Sequence, residues 1–188
     1  GIIQRMEKGN VYIDLGKVEA VLTVNEQIPG EIYQYHERMK TYIIEVKRTN
    51  KGPQIMVSRT HPGLLKRLFE LEVPEIHDGV VEIKSVAREP GMRSKISVYT
   101  QDENIDPVGA CVGHKGMRVQ TIVNELRGEK IDIVKYDTDP KVFIENALSP
   151  AKNLTVLIMD PKEKSAIVVA DDDNFSLAIG KKGLNARL

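Results

Sequence analysis

The sequence contains one cysteine, no tryptophan and no long hydrophobic run. A single cysteine, Cys111, excludes an internal disulfide framework and fits a reducing compartment. A membrane-spanning helix needs roughly 20 consecutive apolar residues, and no stretch approaches that length. We also expect no signal peptide. We therefore expect a cytoplasmic protein that has no membrane segment.

Residue sets that support catalysis or metal binding are also missing. The four histidines include no pair at i, i+4, and there is no Cys-x-x-Cys motif, which argues against a zinc site. No Ser-His-Asp set or isolated carboxylate pair stands out. Cys111 lies in an apolar segment, so we interpret it as a buried core thiol. The acidic run 171–173 could hold a metal, but acids at a helix start commonly cap the helix. The sequence thus predicts a protein that is not an enzyme and uses no cofactor or metal.

Opposite charges balance over the whole chain but not locally. Lysine plus arginine and aspartate plus glutamate each number 27, so the formal net charge is zero. Residues 108–124 contain two cations and no acid, and residues 174–188 contain three cations and no acid. Such local clusters of positive charge suit a negatively charged partner that contacts only a narrow strip of the surface. They are also compatible with solvated helix faces.

Residues 1–59 have the pattern of a small all-β domain. Their strand-like segments are separated by turns, most of which contain glycine. These segments are 1–5, 10–15, 18–23, 42–49 and 54–58. Five short strands with glycine at the corners predict a small closed barrel of the OB-fold type. We expect its first strand to be truncated.

The pattern changes at Thr60, which we expect to cap a helix. From there the sequence predicts a helix, two strands, a helix-loop-helix and a final strand. Most of this order then returns, beginning with a helix that starts at Asp139. Such an internal repeat predicts two consecutive α+β domains, residues 60–137 and residues 138–188. The joints between domains are short and poor in glycine and serine, so we expect a stiff array.

Each repeat contains a Gly-x-x-Gly motif between two predicted helices. Two glycines at this spacing make a sharp turn and remove side chains that would keep a sugar-phosphate backbone away. The helix that follows begins with free backbone N–H groups, and cations between the glycines add an ionic contact to phosphate. This order of elements with this loop resembles the type II KH fold. The KH loop clamps the backbone of about four nucleotides of single-stranded RNA.

One Gly-x-x-Gly motif alone is weak, because glycines at that spacing occur in many turns, whereas two copies inside a larger repeat are specific. The spacing of the glycines excludes other phosphate-binding motifs, since neither Gly-x-Gly-x-x-Gly nor a P-loop is present. We therefore expect single-stranded RNA as the partner, and no small-molecule substrate. The predicted contacts are Gly113, His114, Lys115, Gly116 and Arg118 in the first copy, and Gly180, Lys181, Lys182, Gly183 and Arg187 in the second.

The barrel segment holds four of the six tyrosines, close to several cations. Aromatic side chains flanked by cations suit base stacking along an OB-type groove. A tyrosine in a small barrel is also compatible with ordinary packing. The barrel residues that we predict to contact RNA are Tyr12, Tyr35, His36 and Arg38.

With these motifs in place, the sequence resembles the NusA family of bacterial transcription factors. The resemblance covers the whole chain, as a barrel of the ribosomal-protein-S-one type followed by two KH domains. Segments that carry it include NVYIDLGKVEAVL, DPVGACVG, VNELRGEKIDIV and SLAIGKKG. It implies binding of nascent RNA beside RNA polymerase, with effects on pausing, termination and antitermination. His114 is a departure, because the family often has proline there.

The resemblance also implies that the chain is a fragment. The family's N-terminal polymerase-binding domain is missing, and we expect the contact with RNA polymerase to depend mainly on that domain. The second KH domain is expected to be incomplete, with a sheet that lacks its third strand. We expect this to leave the apolar face of Leu154, Val156 and Ile158 under-covered.

Two other functions stay open at this point. KH and barrel domains also form the RNA-binding accessory module of an RNA-processing, phosphorolytic exonuclease, but there a single KH domain precedes the barrel. Ribosomal proteins with this type of KH domain do not carry the barrel.

Overall fold

The first five strands form one sheet in the order β1-β2-β3-β5-β4. The computed structural model describes all residues from 1 to 188. Its first strands are β1 (Ile2–Glu7), β2 (Asn10–Asp14), β3 (Glu19–Leu22), β4 (Tyr42–Thr49) and β5 (Gly52–Ser58). Neighbours pair antiparallel except β3 and β5, which are parallel. This is the OB-like barrel that the strand pattern predicted.

The barrel closes through an irregular segment and not through a ladder between β1 and β4. The Ile3 N–H donates to the Glu37 carbonyl at 3.0 Å, and the His36 N–H donates back to the Ile3 carbonyl at 2.8 Å. The backbone just before β4 therefore covers the open edge of β1. The buried interior consists of Ile3, Val11, Ile13, Ala20, Leu22, Met39 and Val57.

The second unit packs four helices on one face of a three-stranded sheet. Its elements are α1 (Pro62–Glu72), α2 (Pro74–His77), β6 (Glu82–Glu89), β7 (Arg93–Tyr99), α3 (Pro107–Val112), α4 (Met117–Glu125) and β8 (Lys130–Lys135). The sheet order is β6-β7-β8, and β8 runs parallel to β7. Thirteen buried residues form its core, the largest in the chain. No helix of the protein is long and apolar enough to cross a lipid bilayer.

Helix α1 is capped one residue later than the sequence predicted. His61 is the N-cap residue, and its Nδ1 accepts a hydrogen bond from the Gly63 N–H at 2.9 Å. The Thr60 hydroxyl instead contacts Glu26 and Ser58. The prediction for Thr60 was wrong because its hydroxyl is held by partners that precede it in the chain.

The third unit repeats the second with a smaller sheet. Its elements are α5 (Pro140–Ala147), β9 (Thr155–Asp160), β10 (Ser165–Val169), α6 (Asp172–Ile179) and α7 (Leu184–Arg187). Asp139 caps α5 by accepting from the Lys141 N–H at 2.9 Å, and Asp171 caps α6 by accepting from the Asn174 N–H at 2.9 Å. Both caps were predicted. The sheet contains β9 and β10 alone.

The exposed apolar face of this sheet is not the one that the sequence predicted. Leu154 and Val156 are only 8% exposed, because helices α5 and α6 cover that face. The opposite face is open, and its exposed apolar side chains are Leu157, Met159, Ile167 and Val169. The prediction assigned the open face to the wrong set of alternating residues.

A buried arginine joins the barrel to the first KH unit. Arg59 has no exposed side chain surface, and its guanidinium pairs with the Glu31 carboxylate in the barrel. It also donates to the carbonyls of Lys40 and Glu125, at 2.9 and 3.0 Å. A buried guanidinium that water does not solvate needs this many hydrogen-bond partners to offset the free energy of its desolvation. The arrangement fixes the barrel against α4.

A buried lysine joins the two KH units. The Lys95 ammonium, on the sheet face away from the first core, donates to the carbonyls of Ala147 and Ser149 at 2.6 and 3.0 Å. Burial lowers the pKa of Lys95, and the nearby Asp132 carboxylate opposes that shift. The end of α5 is thereby tied to β7.

Candidate nucleic-acid interface

The two Gly-x-x-Gly loops have almost the same backbone conformation. Gly113 has φ 77° and ψ 173°, and Gly180 has φ 76° and ψ 168°. Lys115 and Lys182, the third residues of the loops, lie in the left-handed region at φ 51° and 54°. This region is unfavourable for residues with a Cβ atom. The two motifs therefore form one and the same turn, as the repeat in the sequence predicted.

The first glycine of each loop is required by packing as well as by φ. A Cβ atom on Gly113 would lie 2.6 Å from Cγ of Arg118, and one on Gly180 would lie 2.7 Å from the backbone nitrogen of Asn185. A Cβ atom on Gly116 would meet nothing within 4 Å. Each loop thus folds back against the helix that follows it.

The side chains between the glycines point into solvent. His114, Lys115, Lys181 and Lys182 are all exposed. The ion pairs of these two regions involve other residues, Arg118 and Arg187. Helix α4 begins directly after the first loop. Its Met117 N–H donates to the His114 carbonyl, and the next N–H groups of its first turn lack intrahelical acceptors. Free cations and free N–H groups at a glycine turn are the groups that bind a phosphodiester.

Arg118, a predicted contact, is engaged within the protein. Its Nη1 donates to the Glu75 carboxylate at 2.9 Å and to the Ala110 carbonyl at 2.7 Å. The side chain is about a third exposed, at 32%. A contact with RNA would have to use its remaining N–H groups.

Arg187, the matching prediction in the second copy, is also engaged. Its Nε and Nη2 donate to the two carboxylate oxygens of Glu89, and its Nη1 donates to the Lys182 carbonyl at 2.8 Å. Glu89 belongs to the first KH unit. Arg187 therefore links the second loop to the neighbouring domain.

The predicted barrel residues lie in two places. The Arg5 guanidinium stacks over the Tyr12 ring, with 3.7 Å between Cζ and the ring centroid. Tyr12 and Arg5 border a surface depression together with Thr49 and Lys51. Tyr35, His36 and Arg38 are exposed and belong to the segment that closes the barrel. The structure does not bring them into the depression beside Tyr12.

Two other barrel tyrosines serve the fold. The Tyr33 hydroxyl donates to Glu31 at 2.7 Å and accepts from the Ile28 N–H, and burial raises its pKa. The Tyr42 ring stacks on His61 with 4.7 Å between centroids. Both side chains are thus engaged in contacts within the protein.

Cys111 has no exposed surface, and burial raises the pKa of its thiol to about 12. A protonated and inaccessible thiol is inert. The interpretation of Cys111 as a core residue is confirmed.

Sequence reasoning missed two residues that shape the interface, Asn185 and Glu89. Asn185 is buried and its Nδ2 donates to carbonyls at the ends of α5 and α6, between 3.0 and 3.2 Å. It occupies the position of Arg118 in the repeat, so alignment of the two copies could have identified it. Glu89 offered no such signal, because its partner lies 98 residues away.

Comparison with protein families assigns all three units. Residues 1–58 match the S1 RNA binding domain, residues 59–136 match the NusA-like first KH domain, and residues 140–188 match the NusA-like second KH domain. One solved structure, described as the crystal structure of APE1850, covers 64% of this chain and 80% of its own at 21% identity, with a TM-score of 0.45. The latter match is too distant to add to the assignment.

Curated relatives agree with the family matches. The chain is 63% identical over 188 residues to the transcription termination/antitermination protein NusA of Bacillus subtilis, and 62% identical to that of Halalkalibacterium halodurans. Identity to the NusA of Thermus thermophilus is 49% over 189 residues. All of this chain is covered each time, and it spans about half of each relative, 50%, 49% and 49%. By its S1 domain, its two KH domains and its identity along the whole length, the chain belongs to the NusA family.

Proposed function

We propose that the chain binds single-stranded RNA through its two KH loops, as the RNA-reading part of a cytoplasmic bacterial transcription factor. In this role it contacts nascent RNA beside RNA polymerase and modulates pausing, termination and antitermination. It acts by binding and not as an enzyme. The observation that carries the proposal is the pair of loops with matching backbone angles and exposed cations at their tips.

Single strands fit these loops better than duplexes do. A KH loop grips the backbone on one side while unstacked bases enter the neighbouring groove, and paired bases cannot be splayed out in this way. The free side chains are His114, Lys115, Lys181 and Lys182. Because the domains are joined through Arg59 and Lys95, the two loops are held on one framework.

The names of the relatives support the role in transcription, since each is a transcription termination/antitermination protein. The domain order supports it against the exonuclease alternative. Here the S1 domain comes first and two KH domains follow, whereas a single KH domain precedes the barrel in the exonuclease module.

Titration of a labelled RNA by fluorescence anisotropy tests the proposal. We expect a clear preference for a single strand over a duplex of the same sequence. If about four to six phosphates are contacted, at about 0.7 each, the slope of log affinity against log salt should be roughly −3 to −4. Equal affinity for strand and duplex, or a slope near zero, would contradict it. Addition of the chain to a polymerase pausing assay then tests the role in transcription.

A further inference from the structure

The turn between β6 and β7 touches all three units of the chain. On one side, Glu89 receives the Arg187 guanidinium of the second KH domain, with 3.0 Å between Oε2 and Nη2. On the other side, Gly91 lies against Ile28 of the barrel, because a Cβ atom at Gly91 would come within 2.7 Å of it. The turn itself belongs to the first KH domain.

A buried carboxylate fixes the conformation of this turn. Glu129 has almost no exposed surface, at 1%, and it accepts hydrogen bonds from the Arg88 guanidinium. It also accepts from the Gly91 N–H at 2.6 Å and from the Ser94 hydroxyl at 3.0 Å. Charge-assisted bonds of this kind fix geometry. Glu89 follows Arg88 directly in the chain, so its backbone is held in a fixed position.

The Arg187 side of the contact reaches the second loop directly. While two of its nitrogens hold Glu89, Nη1 donates to the carbonyl of Lys182, at 2.8 Å. Lys182 is one of the two cations between the glycines. A single guanidinium thus connects the backbone of the second loop to the framework of the first KH domain.

We propose that Glu89 is a positioning residue for RNA binding, which acts through Arg187 to hold the second KH loop at a fixed distance from the first. This inference rests on the proposed function and deepens it. An exposed ion pair adds little to stability. The Glu89–Arg187 pair is bidentate, and Arg187 also binds the Lys182 carbonyl. Its main effect is therefore on the position of the loop and not on the free energy of unfolding. Two loops at a fixed separation bind one strand with a higher effective concentration than two loops that move independently.

The geometry can be measured without RNA. Spin labels on His114→Cys and Lys181→Cys report the distance between the loops, and Cys111 is buried and stays unlabelled. In this labelled protein we expect a narrow distance distribution, which Glu89→Arg or Arg187→Glu broadens. Glu103→Arg is the matched control, because Glu103 is exposed in the same domain and forms no ion pair. An unchanged distribution in Glu89→Arg would overturn the proposal.

The same substitutions, in the protein with native loops, test the effect on RNA. The probe is a single strand of about ten nucleotides, longer than the roughly four that one loop grips. Glu89→Arg adds positive charge, so simple electrostatics predicts tighter binding. Loss of positioning predicts weaker binding, on the order of three- to tenfold. Tighter or unchanged binding in Glu89→Arg would therefore overturn the proposal.

The exchanged pair, Glu89→Arg with Arg187→Glu, separates positioning from direct contact. We expect it to recover part of the affinity and of the narrow distribution, although a glutamate at 187 cannot donate to the Lys182 carbonyl. Recovery of the distance without any recovery of affinity would show that Arg187 binds RNA itself, and would overturn the proposal. If the unaltered chain binds no RNA, the proposed function fails, while the distance measurement still decides whether Glu89 positions the loop.

Discussion

Arg118 and Asn185 hold equivalent places in the two loops and make the same contact. Each is the second residue after the last glycine of its motif. Arg118 Nη1 donates to the Ala110 carbonyl at 2.7 Å, and Asn185 Nδ2 donates to the Leu177 carbonyl at 3.2 Å. Both acceptors lie three residues before the first glycine, at the end of a helix, where carbonyls lack intrahelical partners. Two different side chains thus make the same stabilising contact in the two copies of the repeat.

Arg118→Ala should lower the free energy of unfolding by about 1 to 2 kcal/mol, because it removes bonds to Ala110 and Glu75 and leaves their acceptors less satisfied. Lys115→Ala is the control, since its side chain is exposed and should change stability by less than about 0.5 kcal/mol. Urea unfolding followed by circular dichroism gives both values. Equal stabilities for the two variants would show that Arg118 does not brace the loop.

Glycine substitutions should separate packing from backbone strain. Gly113→Ala places a Cβ atom 2.6 Å from Arg118 in addition to a positive φ, whereas Gly116→Ala meets only the positive φ of 74°. A left-handed residue with a Cβ atom costs about 1 to 2 kcal/mol. We therefore expect Gly116→Ala to cost about that much in unfolding experiments, and Gly113→Ala to cost more. The reverse order would contradict the packing of Arg118 on the first glycine.

Much of the fold was predictable because its elements are encoded locally. The strands of the barrel follow from alternation and glycine turns, and the caps at Asp139 and Asp171 follow from acids placed before apolar runs. The misplaced cap at Thr60 shows the limit. Two adjacent residues could both cap α1, and the choice depends on Glu26, which the sequence pattern does not bring near.

Charge reversal at the first loop should abolish most RNA binding without unfolding the chain. In His114→Asp with Lys115→Asp, both side chains project into solvent, and two new carboxylates repel the phosphate. Reversal of Lys181 and Lys182 should have a smaller effect, because the second sheet has two strands where the first has three. Anisotropy titrations beside circular dichroism check this. Unchanged affinity in the first double variant would show that the loop is only a turn and does not bind RNA.

The chain should lose stability at alkaline pH. The Cys111 thiol titrates near 9 when unfolded and at about 12 when folded, so between these values the unfolded state releases a proton that the folded state keeps. The free energy of unfolding then falls as pH rises, by at most about 1.4 kcal/mol per pH unit from one group. Tyr33, with a raised pKa, acts in the same direction at higher pH.

Lys95 acts in the opposite direction, because its lowered pKa makes the unfolded state bind more protons below pH 10.5. Cys111→Ala isolates the thiol, since it removes one titrating group and leaves Lys95 and Tyr33 in place. Urea unfolding between pH 8 and pH 11 should show a shallower decline in Cys111→Ala than in the unaltered chain. Parallel declines would mean that Cys111 titrates normally in the folded protein.

The site was less predictable than the fold, for a physical reason. The sequence located the loops, because glycine spacing and neighbouring cations are local. It could not distinguish free cations from engaged ones. Lys115 and Arg118 differ by three positions, yet one points into solvent and the other binds Glu75, 43 residues away. Partners of this kind are set by tertiary packing, which no short motif records.

The second KH domain should exchange its amide hydrogens faster than the first. Its buried core contains three residues, against thirteen in the first KH domain and seven in the barrel. Its two strands have no third partner, and Leu157 and Ile167 lie on an open face. Low burial and unpaired edges favour local opening. Residues 155–169 should therefore exchange faster than β6 to β8 in mass-spectrometric measurements. These should use dilute protein, because association through the open face would add protection. Equal protection in a dilute monomer would show that contacts with the first domain, such as Lys95 with Ala147, stabilise the second as fully as a core of its own.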